Sequence, residues 1–168
     1  MLKKIIFSLL LFYFLALLET SFLSHFSLWG QVPNLLLIAL FLIIFFEKKI
    51  TDYFPVEAVI AGFFSDIFSR RFLGVSVIIF FLASFLLERA LKVFKKQNIL
   101  AFILLFFIFF LFSESALAGV DFLLSRGQIS FLFNFLFLDL LYNFIFLSLI
   151  YFFLCLTLRS PMDLKIKK

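Results

Sequence analysis

The sequence predicts an all-α integral membrane protein: a compact bundle of about six transmembrane helices with short loops, the third helix short and central. Three observations carry this. Of 168 residues, 65% are hydrophobic, 32 are Phe and 15% are charged, giving a mean hydropathy of +1.24. A soluble domain of this size leaves much of its surface to polar atoms, which this chain does not possess. The apolar residues form near-continuous runs, as in residues 99–112 and 144–156. Barrel strands would alternate, so helices are the way to satisfy backbone amides in hydrocarbon. Finally, the fifteen Lys and Arg residues cluster between the runs.

A span needs about 20 apolar residues, so the whole chain, 1–168, reads as one polytopic domain. The first segment covers residues 5–24. Lys3 and Lys4 precede it, and Phe14-Leu15-Ala16-Leu17-Leu18 carries the run to Glu19 without a small-x-small cleavage site, so it is expected to stay as a span. The second, 33–46, opens at Pro33, and the third, 55–68, at Pro55, where a proline suits a helix start. The fourth spans 72–88 and ends at a charged stretch. The fifth spans 99–118 and the sixth 131–158. Pro161 stops the last helix and leaves a basic cytoplasmic tail at about 159–168.

Charge placement tests this count. With the N-terminus inside, cytoplasmic connections hold Lys3, Lys4, Lys48, Lys49, Arg89, Lys92, Lys95, Lys96, Arg159, Lys165, Lys167 and Lys168. External connections hold only Arg70, Arg71 and Arg126. Such a bias follows the positive-inside rule and puts both termini in the cytoplasm. Arg70-Arg71 is the discordant pair; a re-entrant hairpin of segments three and four is the other way to place it. The net charge of +5 points to anionic lipid rather than nucleic acid, because no basic stripe lies in a soluble segment.

Segment three has the clearest pattern. Ala58, Ala61, Gly62, Ser65, Asp66 and Ser69 share one helix face at three- and four-residue spacing. Ala58/Gly62 and Ala61/Ser65 are small-xxx-small pairs, which permit close backbone approach in lipid. The other face carries Ile60, Phe63, Phe64 and Ile67. Asp66 requires compensation so near the bilayer, and Arg70, four residues on, is the expected ion-pair partner. In segment six, Asp139, Tyr142 and Asn143 form an i, i+3, i+4 patch expected to face neighbouring helices.

Catalytic patterns are weak. His25 is the single histidine, and Gly74-Val75-Ser76 lacks the following glycine of a nucleophile elbow. No spacing fits a metal site, and Cys155 is the lone cysteine. The expectation is no enzyme activity and no cofactor.

Val32-Pro33-Asn34-Leu35-Leu36-Leu37 opens the second segment, and Ala61-Gly62-Phe63-Phe64-Ser65-Asp66-Ile67-Phe68-Ser69 followed by Gly74 spans the third and its exit. These elements resemble the bacterial rod shape-determining protein MreD family, with Asn34 in place of the family's usual Asp. The resemblance implies a non-enzymatic inner-membrane subunit of the cell-elongation machinery. Such a subunit associates with an MreC-like scaffold and other elongation proteins and helps link MreB filaments to peptidoglycan synthesis. Pro33, Asn34, Ala58, Ala61, Gly62, Ser65, Asp66, Arg70 and Gly74 are its candidate packing and interaction residues. The alternative is a substrate-binding subunit of an energy-coupling-factor type vitamin or metal transporter, with Glu19, Glu114, Asp121 and Trp29 around an external cavity.

Overall fold

The computed structural model describes residues 2–27, 32–46, 54–69, 72–93, 99–125 and 132–158. Six α-helices organise them: α1 (Leu2–Leu17), α2 (Leu35–Phe46), α3 (Phe54–Phe68), α4 (Val75–Val93), α5 (Ile99–Ser125) and α6 (Leu132–Leu158). The described residues contain no strand. After α1 the chain continues through a π-helical turn, Leu18–Phe22, and a 3₁₀ turn, Leu23–Phe26. Thr20 Oγ1 donates to the Ala16 carbonyl at 2.9 Å at this widening. Such back-bonding competes with the regular ladder and bends a helix. Pro55 falls in the first turn of α3, where its missing N–H costs nothing.

The enclosed helix is α2, not α3. It packs against α1, α3, α4, α5 and α6, and nine of its twelve residues are buried. The reason is in its composition: every one of the twelve is apolar, and a helix apolar all round belongs in an interior. Helix α3 is instead two-faced. Ala58, Ala61, Ser65 and Asp66 are buried, whereas Val59, Phe63 and Ile67 are exposed. Ile60, expected on the outer face, is also buried.

Aromatic rings fill the seam between α2 and α5. Phe41 meets Phe102, Phe106 and Phe109 at ring separations of 5.4, 5.2 and 5.7 Å. Phe45 meets Phe102 edge-on at 4.8 Å. Each such pair adds about 0.5–1.5 kcal/mol beyond area burial.

Contacts fix the relative directions of the helices. Phe46 at the end of α2 meets Phe102 at the start of α5, and Phe102 meets Tyr151 late in α6. A cleft joins the start of α1, the end of α2 and the start of α3. At the opposite end, Glu19, Asn34, Glu114 and Asn143 come together. Successive helices therefore alternate up and down.

Large apolar side chains face outward on every helix but α2, including Phe7, Leu10, Phe63, Ile78, Ile108 and Phe152. Among the described residues, Lys3–Phe26 and Leu100–Leu123 are each long and apolar enough to cross a membrane, while Leu35–Phe46 and Phe137–Phe153 are apolar but shorter. Helix α2 covers only about 18 Å at 1.5 Å per residue, against a hydrocarbon core of about 30 Å. Helices α3 and α4 carry Glu57 and Asp66, and Glu88, Arg89 and Lys92, which interrupt their apolar runs.

Candidate functional site

Polar chemistry in this apolar bundle concentrates at two helix starts. The first is the α3–α4 hairpin. On α3, Ala58 and Ala61 are fully buried and offer no bulk, so the backbone of α4 approaches directly. A Cβ on Gly62 would lie 2.5 Å from Val77 Cα and 2.6 Å from Val77 N. Only glycine permits that approach.

One turn further, the Asp66 side chain is 1% exposed. Its Oδ2 accepts the Gly74 N–H at 2.7 Å and its Oδ1 accepts the Ser76 N–H at 2.9 Å. Asp66 thus caps α4 from the preceding helix. The arrangement satisfies two of the donors that a helix start leaves without intrahelical partners and sets a carboxylate at the positive end of the helix dipole. Gly74 has φ +103°, and its carbonyl accepts the Ile78 N–H at 3.0 Å, opening the helix. Ser65 Oγ donates to Ser76 Oγ at 3.4 Å beside it.

Arg70, the partner expected for Asp66, lies outside the described residues. Helix α3 ends at Phe68 and Ser69 is in a turn. The carboxylate's compensation comes from backbone N–H groups. The same contacts bring Asp66, Gly62, Ser65 and Gly74 together and bury Ser76, so Gly74-Val75-Ser76 serves a helix start.

The second site is the start of α2. Asn34 Oδ1 accepts the Leu37 N–H at 3.0 Å, the usual N-cap geometry. The Leu35 N–H donates to Glu19 Oε2 at 3.1 Å, and the Asn34 N–H donates to Asn143 Oδ1 at 2.7 Å. Asn34 Nδ2 donates to Glu114 Oε1 at 3.0 Å. Asn143 is fully buried and is oriented by donating to the Asp139 carbonyl at 2.9 Å and to Asp139 Oδ1 at 2.8 Å. Tyr142 ties the same helix to the 3₁₀ turn, its hydroxyl donating to the Phe26 carbonyl at 2.9 Å. Pro33, buried just before the cap, has no N–H to satisfy.

Of these residues, the sequence singled out Pro33 and Asn34 as a pair but not their partners. Glu19 and Glu114 entered only as lining of the transporter alternative's external cavity. The Asp139–Tyr142–Asn143 patch faces neighbouring helices, and its target is α2. The polar residues divide into two groups: Glu114 and Asp139 join the α2 cap, whereas Asp66 belongs to the α4 cap.

The transporter alternative placed Glu19 and Glu114 around an external cavity. Both accept N–H donors at the start of α2, and Trp29 lies outside the described residues. Among the described residues no group of three or more His, Cys, Asp or Glu is placed to hold a metal ion. His25 is exposed, with Nδ1 2.8 Å from the Ser21 carbonyl.

No curated protein and no solved structure matches the chain. The family model described as rod shape-determining protein MreD matches residues 2–160, which takes in both capped helix starts and all six helices. The chain belongs to the rod shape-determining protein MreD family.

Proposed function

We propose that this chain is a non-enzymatic inner-membrane subunit of the bacterial cell-elongation complex. In this reading it crosses the membrane six times with both termini cytoplasmic. It helps couple MreB filaments and an MreC-like scaffold to peptidoglycan synthesis. The family match over residues 2–160 is the observation that carries the reading. The alternation of helix directions and the lysine-rich cytoplasmic connections support the topology. Helix α3 crosses with an apolar stretch shorter than the bilayer, at the modest cost of local thinning, whereas α2 is enclosed by the other helices.

The capped sites support a structural role. Ala58, Ala61, Gly62, Ser65, Asp66 and Gly74 weld α3 to α4, and Pro33 and Asn34 lock α2 to α1, α5 and α6. Their polar groups are turned inward on the bundle itself, leaving its lipid-facing helix surfaces for contact with other membrane proteins.

Depletion of the chain in its rod-shaped host, read by microscopy, tests the proposal. Cells should round and widen, and re-expression should restore rods. Rods that elongate normally after depletion would refute it.

A further inference from the structure

We propose that the cleft between the start of α1, the end of α2 and the start of α3 is a binding site for an anionic glycerophospholipid, held through its phosphodiester. The cleft has a volume of about 470 Å³, within the roughly 300–1,000 Å³ of ligand pockets. Its lining is graded. Lys3 and Lys4 contribute two exposed ammonium groups, while Phe7 and Leu11 follow at successive turns of the same helix. Ile43 and Phe46 of α2 complete the apolar wall. From Lys3 to Leu11 the helix rises roughly 12 Å, passing from charge to hydrocarbon. A phospholipid passes from phosphate to acyl chain in the same sense.

Charge selects the headgroup. Glu57 of α3 also lines the cleft. Two ammonium groups against one carboxylate leave one net positive charge, the complement of a phosphodiester with a neutral glycerol head. A zwitterionic lipid offers no such match. The ligand is a lipid rather than free phosphate because Phe7 and Leu10, beside the lysines, are 66% and 63% exposed. In the membrane-embedded reading, on which this inference rests, they lie among acyl chains.

The test uses the full-length protein in mild non-ionic detergent, with lipid retention read by native mass spectrometry. The probes are phosphatidylglycerol and phosphatidylethanolamine with identical chains, supplied in equal amounts. A lysine near an anionic surface contributes roughly a fivefold preference, so with one net positive charge the wild type should retain phosphatidylglycerol over phosphatidylethanolamine by about fivefold. Lys3→Gln/Lys4→Gln should bring that ratio near one, and Lys3→Arg/Lys4→Arg should keep it. Lys92→Gln, at an exposed lysine paired with Glu88 at 2.9 Å, should leave it unchanged. Ile43→Trp keeps both lysines but fills the cleft, and should lower retention of both lipids. The inference is overturned if the double Gln variant keeps the preference, if Ile43→Trp retains lipid as the wild type does, or if millimolar inorganic phosphate displaces the lipid. Retention is read without reference to cell shape, so its failure is separate from failure of the depletion experiment.

Discussion

Asp66→Ala isolates the α4 cap. The substitution removes both acceptors of the Gly74 and Ser76 N–H groups. The buried Ser76 N–H left without a partner costs about 1–3 kcal/mol and the half-buried Gly74 N–H less than that, so the gross loss is about 1–5 kcal/mol. Removing a carboxylate from a site near the bilayer returns part of this. The full burden at the membrane centre is about 2.5–3.5 kcal/mol and falls toward the interface. The net expectation is a destabilisation of about 1–4 kcal/mol. Asp66→Asn keeps one acceptor and should fall between the wild type and Ala. Asp163→Ala, in the basic tail, should be neutral within about 0.5 kcal/mol. Reversible unfolding in bicelles, followed by steric trapping, measures all three. An Asp66→Ala variant as stable as Asp163→Ala would refute the reasoning, because the buried Ser76 N–H and the half-buried Gly74 N–H would then have lost their acceptors without cost.

Gly62→Ala should destabilise by about 1–3 kcal/mol through overpacking, since its Cβ would meet the Val77 backbone. Gly119→Ala has open space around it and should be neutral or stabilising by up to about 1 kcal/mol through helix propensity; thermal melts of the detergent-solubilised protein compare the two. Gly74→Ala should cost about 1–2 kcal/mol, because φ is +103° there although no neighbour obstructs a Cβ. Asn34→Asp keeps the cap to Leu37 but turns a donor into an acceptor against Glu114 Oε1. It should be destabilising alone and partly rescued by Glu114→Gln, with a double-mutant coupling of about 1 kcal/mol or more.

Local signals carried much of this architecture. The prolines at 33 and 55 sit just before or within the first turns of α2 and α3. The three- and four-residue spacing groups Ala58, Ala61, Gly62, Ser65 and Asp66, all buried, with Ser69, which is exposed; Gly62, Ser65 and Asp66 meet the start of α4. One expectation failed for a physical reason. The central position went to α3 for its small residues, which indicate one close neighbour; α2's uninterrupted twelve apolar residues are the signature of burial on all sides. Arg70, the partner expected for Asp66, lies outside the described residues, and within them the carboxylate accepts two backbone N–H groups that no i+4 rule anticipates. The distant partners of the α2 cap were beyond any local rule. Asn34 is 109 residues from Asn143 and 80 from Glu114. No periodicity relates positions that meet only after five helices have packed.

Both capped sites answer one physical problem. A helix that ends in water has its first N–H groups satisfied by solvent. Helix α2, about 18 Å long, is too short to reach both faces of a hydrocarbon layer of about 30 Å, and it is surrounded by other helices. Its first N–H groups must therefore find acceptors within the protein. The π-helical turn brings Glu19 and α6 brings Asn143 to them, while Glu114 of α5 holds the capping Asn34 side chain by its amide. Helix α4 begins against α3 and receives Asp66 in the same way. The acids at these two helix starts thus follow from the enclosure of the starts within the bundle. Lengthening α2 at its start by one turn should move its orphan donors toward the interface. Glu19→Gln, destabilising in the native chain through the Leu35 N–H, should then cost measurably less. Equal cost in both backgrounds would show that Glu19 does something other than terminate α2.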